Sequence, residues 1–463
     1  MRPFSVCLQR WREIPLGEKE NILGTMPVGR LVIHMSWPIM ISMLVQAVYN
    51  LVDSIFVAQI SDKAFLALSY AYPIQTLMVA FCVGIGVAFS AILSKRLGER
   101  DMAGARDAVF HGLVLYAGCW VLFSCFGLLG ADAYLTGCTG DGQVREMGIA
   151  YLRICCCLSF GICTQFPLER ILQSTGHPAG FMIIQGSGAV INLILDPILI
   201  FACNMGVAGA AAATVIGQIT GGVIGCFLLR RIRRELPLPM QGFRMQRELF
   251  EEYVRVALPA VLMQAMASVT ALGLNGILKL WSETAVWVLG VYFKLQTFVF
   301  MPVFSVNNAM VSIISYNYGA GEGKRVSACL RFGVGTALAT ALAGGLVLCL
   351  GAGLVLRTCF QAGVQAMEMG VPALRMTAVA FPFAAVSIIL SAAFQSLGYS
   401  RFSLTVSLLR YVVLPLPAAL LLVKTVPECS FLCFLAAEAA TMAVALGLFR
   451  QVGRAAISSV KRA

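Results

Sequence analysis

Residues 64–94, 108–131, 332–356 and 376–400 contain no Asp, Glu, Lys or Arg, and 171–229 contains only Asp196. Runs of this kind leave a chain few options. About 20 consecutive apolar residues cross a bilayer as a helix, and in lipid the backbone has to satisfy its own hydrogen bonds. The stretch 171–229 is long enough for two such helices, with a turn near Asn204-Met205-Gly206. Only 12% of the residues are charged and 59% are apolar, where soluble domains carry about 25% charged residues. The expected fold is an all-α polytopic membrane protein.

Twelve spans are expected, near 31–57, 65–93, 108–130, 149–172, 179–203, 207–229, 256–280, 285–315, 331–356, 373–396, 402–423 and 431–449. The net charge of +12 follows from this layout, because the N-terminus, the even-numbered connections and the C-terminus hold most of the 34 Lys and Arg residues. Arg230, Arg231, Arg233, Arg234, Arg244, Arg247 and Arg255 crowd the middle connection. The positive-inside rule then places both termini and that connection in the cytoplasm, with the spans in the cell membrane. The expected organisation is a cytoplasmic segment 1–30, a first lobe 31–229, a basic linker 230–255, a second lobe 256–450 and a cytoplasmic tail 451–463. Segment 1–30 lacks a continuous apolar core, so no cleavable signal peptide is expected. Nucleic acid is a poor partner for basic charge divided among short loops beside a membrane.

Either side of the linker the chain repeats itself weakly. At an offset of 221, Pro38 meets Pro259, Gln75 meets Gln296, Thr76 meets Thr297, Ser94 meets Ser315 and Gly98 meets Gly319. At 222, Gln173-Ser174-x-Gly176 meets Gln395-Ser396-x-Gly398. The register is nearly constant, which points to duplication. Six spans per half is an even number, so both halves enter the membrane in the same direction. Parallel repeats of this kind are a transporter architecture, with substrate handled at the repeat interface.

Two acids interrupt the apolar runs. A carboxylate at the centre of a spanning helix costs roughly 3 kcal/mol even on lenient scales, so Asp53 and Asp196 are the first functional candidates. Gln46, Tyr49, Asn50 and Asp53 fall at i, i+3, i+4 and i+7 on one helix face. Gln185, Gly188, Asn192 and Asp196 form a similar stripe, and the two read as walls of an internal cavity. Structural roles compete with these readings. Asn50 and Asn192 can join helices, and Asp196 precedes Pro197, which leaves the carbonyl of Leu193 without its usual donor. In the second half, Gln264 and Lys294 are the polar cavity candidates, and Arg410 with Glu438 reads as an ion pair between spans eleven and twelve. The cysteines lie mostly in apolar segments, where Cys packs as a small hydrophobe. His34, His111 and His177 are far apart, so no metal site is expected. An enzyme is not expected either: there is no H-E-x-x-H, and Gly319-Ala-Gly-Glu-Gly-Lys324 lacks phosphate-loop spacing.

The stretch Gln46-Ala-Val-Tyr49-Asn50-Leu-Val-Asp53 resembles the first helix of MATE transporters, the multidrug and toxic compound extrusion family. Asn192-Leu-Ile-Leu-Asp196-Pro197, Met205-Gly-Val-Ala-Gly-Ala-Ala, Tyr292-Phe-Lys294-Leu-Gln296 and Ser315-Tyr-Asn-Tyr-Gly-Ala-Gly321 resemble further parts of that family, in its bacterial DinF-type branch. The resemblance runs from about residue 29 to residue 450. It implies twelve helices in two pseudo-symmetric six-helix lobes around a central cavity, acting as a monomeric antiporter that exports organic cations and drugs against H+ or Na+, with no other cofactor. Asp53 and Asp196 would be the cation-coupling carboxylates. Gln46, Tyr151, Asn192 and Thr214 would line the cavity of the first lobe, and Pro38 would let the first helix bend. Asn192 and Thr214 would add oxygen ligands if the ion is sodium. One departure stands out: the family's sodium-coupled type carries acids in helices seven and ten, which are absent around Pro259–Ser268 and from 376–400. That absence tilts the expectation toward protons. The alternative is a flippase for a lipid-linked precursor, which calls for a cavity rich in Arg and Lys, and only Lys294 and Arg410 lie well inside spans.

Overall fold

The computed structural model of the protein describes residues 21–231 and 245–453. Arg233, Arg234 and Arg244 of the basic linker, most of segment 1–30 and most of the C-terminal tail lie outside the described residues. Among the described residues all regular structure is helical. A single turn, α1 (Ile22–Thr25), leads into α2 (Val28–Ile60) and α3 (Asp62–Gly98). Next, α4 (Met102–Cys125) passes through a wide turn at Phe126–Gly130 into α5 (Ala131–Cys138), and α6 (Gly142–Cys157) meets α7 (Phe160–Ser174). The first half closes with α8 (Pro178–Pro197) and α9 (Gly206–Arg231). The second half comprises α10 (Arg247–Lys279), α11 (Glu283–Gly319), α12 (Gly323–Thr358), α13 (Val364–Ala378), α14 (Phe381–Ser396), α15 (Ser400–Leu408), α16 (Pro415–Thr425) and α17 (Leu432–Leu448).

Among the described residues, ten helical segments are long and apolar enough to cross a membrane alone, and the bent pairs α6–α7 and α13–α14 bring the number to twelve. The expected crossings are therefore all present. Several overrun their expected ends, because charged termini such as Lys95-Arg96 continue the helix rather than start a loop. The fourth and tenth crossings are broken in mid-course, by 43° and 44°. Pro38 sits inside α2, which runs unbroken past it. Its carbonyl accepts a hydrogen bond from Ser42 Oγ at 2.9 Å.

The repeat is plain in the helices themselves. α3 and α11 are both 37 residues long and start and end 221 residues apart. Each is capped by an extended serine, Ser61 accepting from the Ala64 N–H and Ser282 from the Thr284 N–H, both at 3.1 Å. The two bends are repeat equivalents, and the turns after α7 and α14 each place a glycine, Gly176 and Gly398, at φ +83°. At that backbone angle a side chain would be strained.

α3 and α11 also cross each other near the repeat axis. A Cβ added to Gly98 would lie 2.0 Å from the Tyr316 carbonyl oxygen, and one added to Gly319 would lie 2.2 Å from that of Lys95. Only glycine lets the two backbones approach so closely, the small-residue device of helix pairs in lipid.

Packing does not respect the midpoint of the chain. Leu31, Val32, Met35 and Ile39 at the start of α2 belong to the apolar core built mainly by the second half. Leu249, Tyr253, Val256 and Ala257 at the start of α10 belong to the core of the first half. Polar clasps hold both of these helix starts. Arg325 donates to the carbonyls of Leu23 and Met26 at 3.2 and 2.8 Å, and Asn317 donates to Leu23 at 3.0 Å. Opposite, Tyr253 Oη donates to the Ala108 carbonyl at 2.7 Å and Gln246 Nε2 to Asp107 at 2.9 Å. The halves are thus two lobes that exchange the first turns of their leading helices.

Candidate functional site

The site grows from the close contact of α8 with α9. A Cβ on Gly217 would lie 2.6 Å from the Gly188 carbonyl oxygen, so the helices touch backbone to backbone. One turn further along, Asn192 and Thr214 face each other across that contact. Asn192 Nδ2 donates to Asp196 Oδ1 and to Thr214 Oγ1, both at 3.3 Å. Turning the amide over keeps both links: Asn192 then donates to Asp196 Oδ2 at 3.3 Å and accepts from the Thr214 N–H at 3.2 Å. Asp196 is completely buried. From α2, Asp53 comes near enough for the two carboxyl groups to interact electrostatically, and its Oδ1 is buried with no hydrogen-bond partner among the described residues. A buried carboxyl oxygen without a donor is costly unless something binds it.

A small cavity of about 60 Å³ lies beside this cluster, lined by Gln46, Tyr49, Gln165, Gln185, Asn192 and Thr214 among others. Gln46, Val79, Phe166 and Gln185 also line a second cavity of about 340 Å³ between the lobes. The two cavities therefore adjoin through a shared wall, and Asn192 and Thr214 connect the smaller one to the acids. The larger cavity has the size of a small-ligand site. Its second-lobe wall carries Gln264, Asn307, Gln395, Arg410 and Tyr411.

Most of the expected cavity residues converge here, but three line neither of these two cavities. Tyr151 lines neither cavity but lies near enough to Asp53 to interact with it electrostatically; it is buried and accepts from Gln75 Nε2 at 2.7 Å. It packs in the first-lobe core. Asn50 is exposed, although it follows Tyr49 on the same stripe. Lys294 is exposed and lies 6.0 Å from the centre of the Phe360 ring, a cation–π position. The expected pair in spans eleven and twelve is present, with Arg410 Nε donating to Glu438 Oε1 at 2.7 Å. Arg410 also lies over the rings of Phe300 and Tyr411.

Sequence reasoning missed Glu169 and Arg170, both buried and both lining the central cavity. Gln165 donates to Glu169 and to Gln185, each at 2.8 Å, so a polar chain runs from α7 to α8. Arg170 donates to Gln173 at 3.0 Å and reaches Asn308 of the other lobe at 3.4 Å, while Gln173 donates to the Asn308 carbonyl at 2.8 Å. The available signal was an adjacent acid and base inside the expected span 149–172. Their position near its end makes them resemble ordinary interfacial charges.

The sequence model of the MatE family matches residues 38–198 and 259–421, one segment in each lobe. The chain belongs to the MatE family. Curated relatives include the multidrug export protein MepA of Staphylococcus haemolyticus, 25% identical over 296 residues, covering 63% of this chain and 65% of the relative. MepA of Staphylococcus saprophyticus is 27% identical over 290 residues, covering 62% and 63%. The aligned part thus spans just under two thirds of these relatives' length. Among solved structures, an outward-facing multidrug resistance MATE transporter matches with TM-score 0.89 at 24% identity, covering 97% of this chain and 100% of the other. MATE in a bent conformation matches with TM-score 0.86 at 25% identity, covering 94% and 96%. The fold of this MatE member is therefore that of a MATE transporter, a multi-pass protein of two six-helix lobes.

Proposed function

We propose that the protein is a secondary-active exporter of the cell membrane that binds organic, mostly cationic compounds in the cavity between its lobes. It exchanges them for a cation taken up at Asp53 and Asp196. One observation carries this reading: the acid cluster reaches, through Asn192 and Thr214, a small cavity that shares Gln46 and Gln185 with a ligand-sized one. A proton or a sodium ion at Asp53 and Asp196 changes the charge behind Asn192 and Thr214 in the small cavity, and so couples ion occupancy to Gln46 and Gln185 on the wall both cavities share. The relatives named as multidrug exporters agree with it. Protons are the favoured ion, because the described oxygens around the acids are few for a hard cation that wants several. The cavity suits a cation better than the pyrophosphate of a lipid-linked precursor, since Arg410 is paired with Glu438 and Arg170 sits beside Glu169.

With the basic ends in the cytoplasm, the crossing of α3 and α11 at Gly98 and Gly319 closes the inner side, and the central cavity belongs to an outward-facing state. The test is counterflow of a fluorescent organic cation in proteoliposomes, with proton and sodium gradients imposed separately. The expected result is export driven by an inward proton gradient in sodium-free buffer and abolished by a protonophore. Export driven by a sodium gradient alone at constant pH would reassign the ion, and no export under either gradient would overturn the reading.

A further inference from the structure

Three cysteines that look unrelated in the sequence meet inside the first lobe. Cys82 of α3, Cys119 of α4 and Cys163 of α7 bring their Sγ atoms within 4.8 Å of one another. All three are buried, at 0, 4 and 6% exposure. Tyr116 fixes the helices at this level, its Oη donating to the Cys82 carbonyl at 2.9 Å. The cluster is separate from the acid site: Ile162 and Phe166 of α7 line the small cavity, whereas Cys163 turns toward α3 and α4. Thiolate–metal bonds are about 2.3 Å long, so three sulfurs sharing one centre sit on the order of 4 Å apart. The cluster needs little movement to reach that arrangement.

We propose that Cys82, Cys119 and Cys163 form a binding site for a trivalent thiophilic metalloid. Charge selects the class. Three thiolates around a divalent ion leave a net negative charge, and around Cu(I) a larger one. Either is expensive in an apolar lobe. A trivalent centre with three thiolates is neutral. With arsenous acid the reaction balances without redox chemistry: three As–O bonds break, three As–S bonds form, and each thiol proton leaves with a hydroxyl as water. The incoming species is also neutral, so no ion has to cross the apolar shell. Soft sulfur ligands favour such a centre over hard cations. Once bound, it ties α7, just beyond the bend of the fourth crossing, to α3 and α4.

The test uses arsenite on the purified full-length protein in detergent, with intact-mass spectrometry after gel filtration. The expected product is one adduct per chain, heavier by one arsenic less three hydrogens. An adduct of one arsenic and one hydroxyl less two hydrogens means only two thiols engage, and it overturns the three-cysteine site. Cys82→Ser, Cys119→Ser and Cys163→Ser should each abolish the three-thiol adduct, while Cys156→Ser and Cys329→Ser retain it. Monodisperse elution checks folding of each variant, and a near-ultraviolet sulfur-to-arsenic absorption titrated in the wild type gives a readout that needs no variant. No adduct in the wild type, an adduct unaffected by the three substitutions, or retention of Zn(II) or Cu(I) in its place contradicts the proposal.

Discussion

Asp196 carries more of the account than any other side chain. It is buried, bridged by Asn192 to Thr214, and faced by an acid with an unsatisfied oxygen. Asp196→Asn keeps the size and some hydrogen bonding but removes the charge. Gradient-driven export should fall by about tenfold or more, while substrate binding, measured by fluorescence anisotropy, weakens but persists. Full export by this variant in energised vesicles would place coupling elsewhere. Arg410 and Glu438 make a different residue-scale prediction. Removing one partner of a buried pair strands the other charge, at a cost of about 3–5 kcal/mol, whereas apolar replacement of both is often neutral. Arg410→Met should therefore lower the thermal midpoint in detergent markedly, and Arg410→Met with Glu438→Leu should recover most of the loss. Equal loss in the single and double variants would show that the pair is not what stabilises this contact.

Among the elements, the crossing of α3 and α11 brings the two lobes together backbone to backbone, and it should tolerate little. A methyl at Gly98 would meet the Tyr316 carbonyl at 2.0 Å, so Gly98→Ala has to part the two helices. Faster amide exchange at residues 95–99 and 316–320, with transport reduced about tenfold, is the expected result. Unchanged exchange and transport would mean that this crossing does not hold the lobes closed. Elements also mark where sequence reading stops. The twelve crossings are legible because charge depletion is a local property of each run. The stripes ending at Asp53 and Asp196 are legible because helical spacing places Gln46 and Tyr49, or Gln185 and Asn192, on one face. Tyr151 and Lys294 line neither cavity because which way a helix turns its polar residue depends on its neighbours, not on its own periodicity. The Cys82–Cys119–Cys163 cluster and the link from Arg170 to Asn308 join residues far apart in the chain, and only the packing of helices brings them together. The exchange of leading turns between lobes is hidden for the same reason: Leu31 and Val256 are apolar whichever core receives them.

The whole molecule is two copies of one six-crossing unit that have become chemically unequal. The acid cluster lies in the first lobe, while the second lobe holds the neutral Arg410–Glu438 pair, so under the proposed coupling an ion would act on one side of a pseudo-symmetric cavity. Orientation is testable at this scale. Cysteine labelling or reporter fusions should place residues 236–246 and both termini on the cytoplasmic side, as the clustering of Lys and Arg demands; an external linker would reverse the direction of transport proposed for the cavity. The central claim is that the first-lobe acids couple cation entry to export, and one comparison tests it most directly. Wild-type protein and the double variant Asp53→Asn with Asp196→Asn are reconstituted in parallel in matched amounts, and efflux of a fluorescent organic cation is followed as an inward proton gradient is imposed in sodium-free buffer. The account predicts that the wild type responds and the double variant, though folded and still able to bind the substrate, does not. A double variant that exports at the wild-type rate under the same gradient would contradict it.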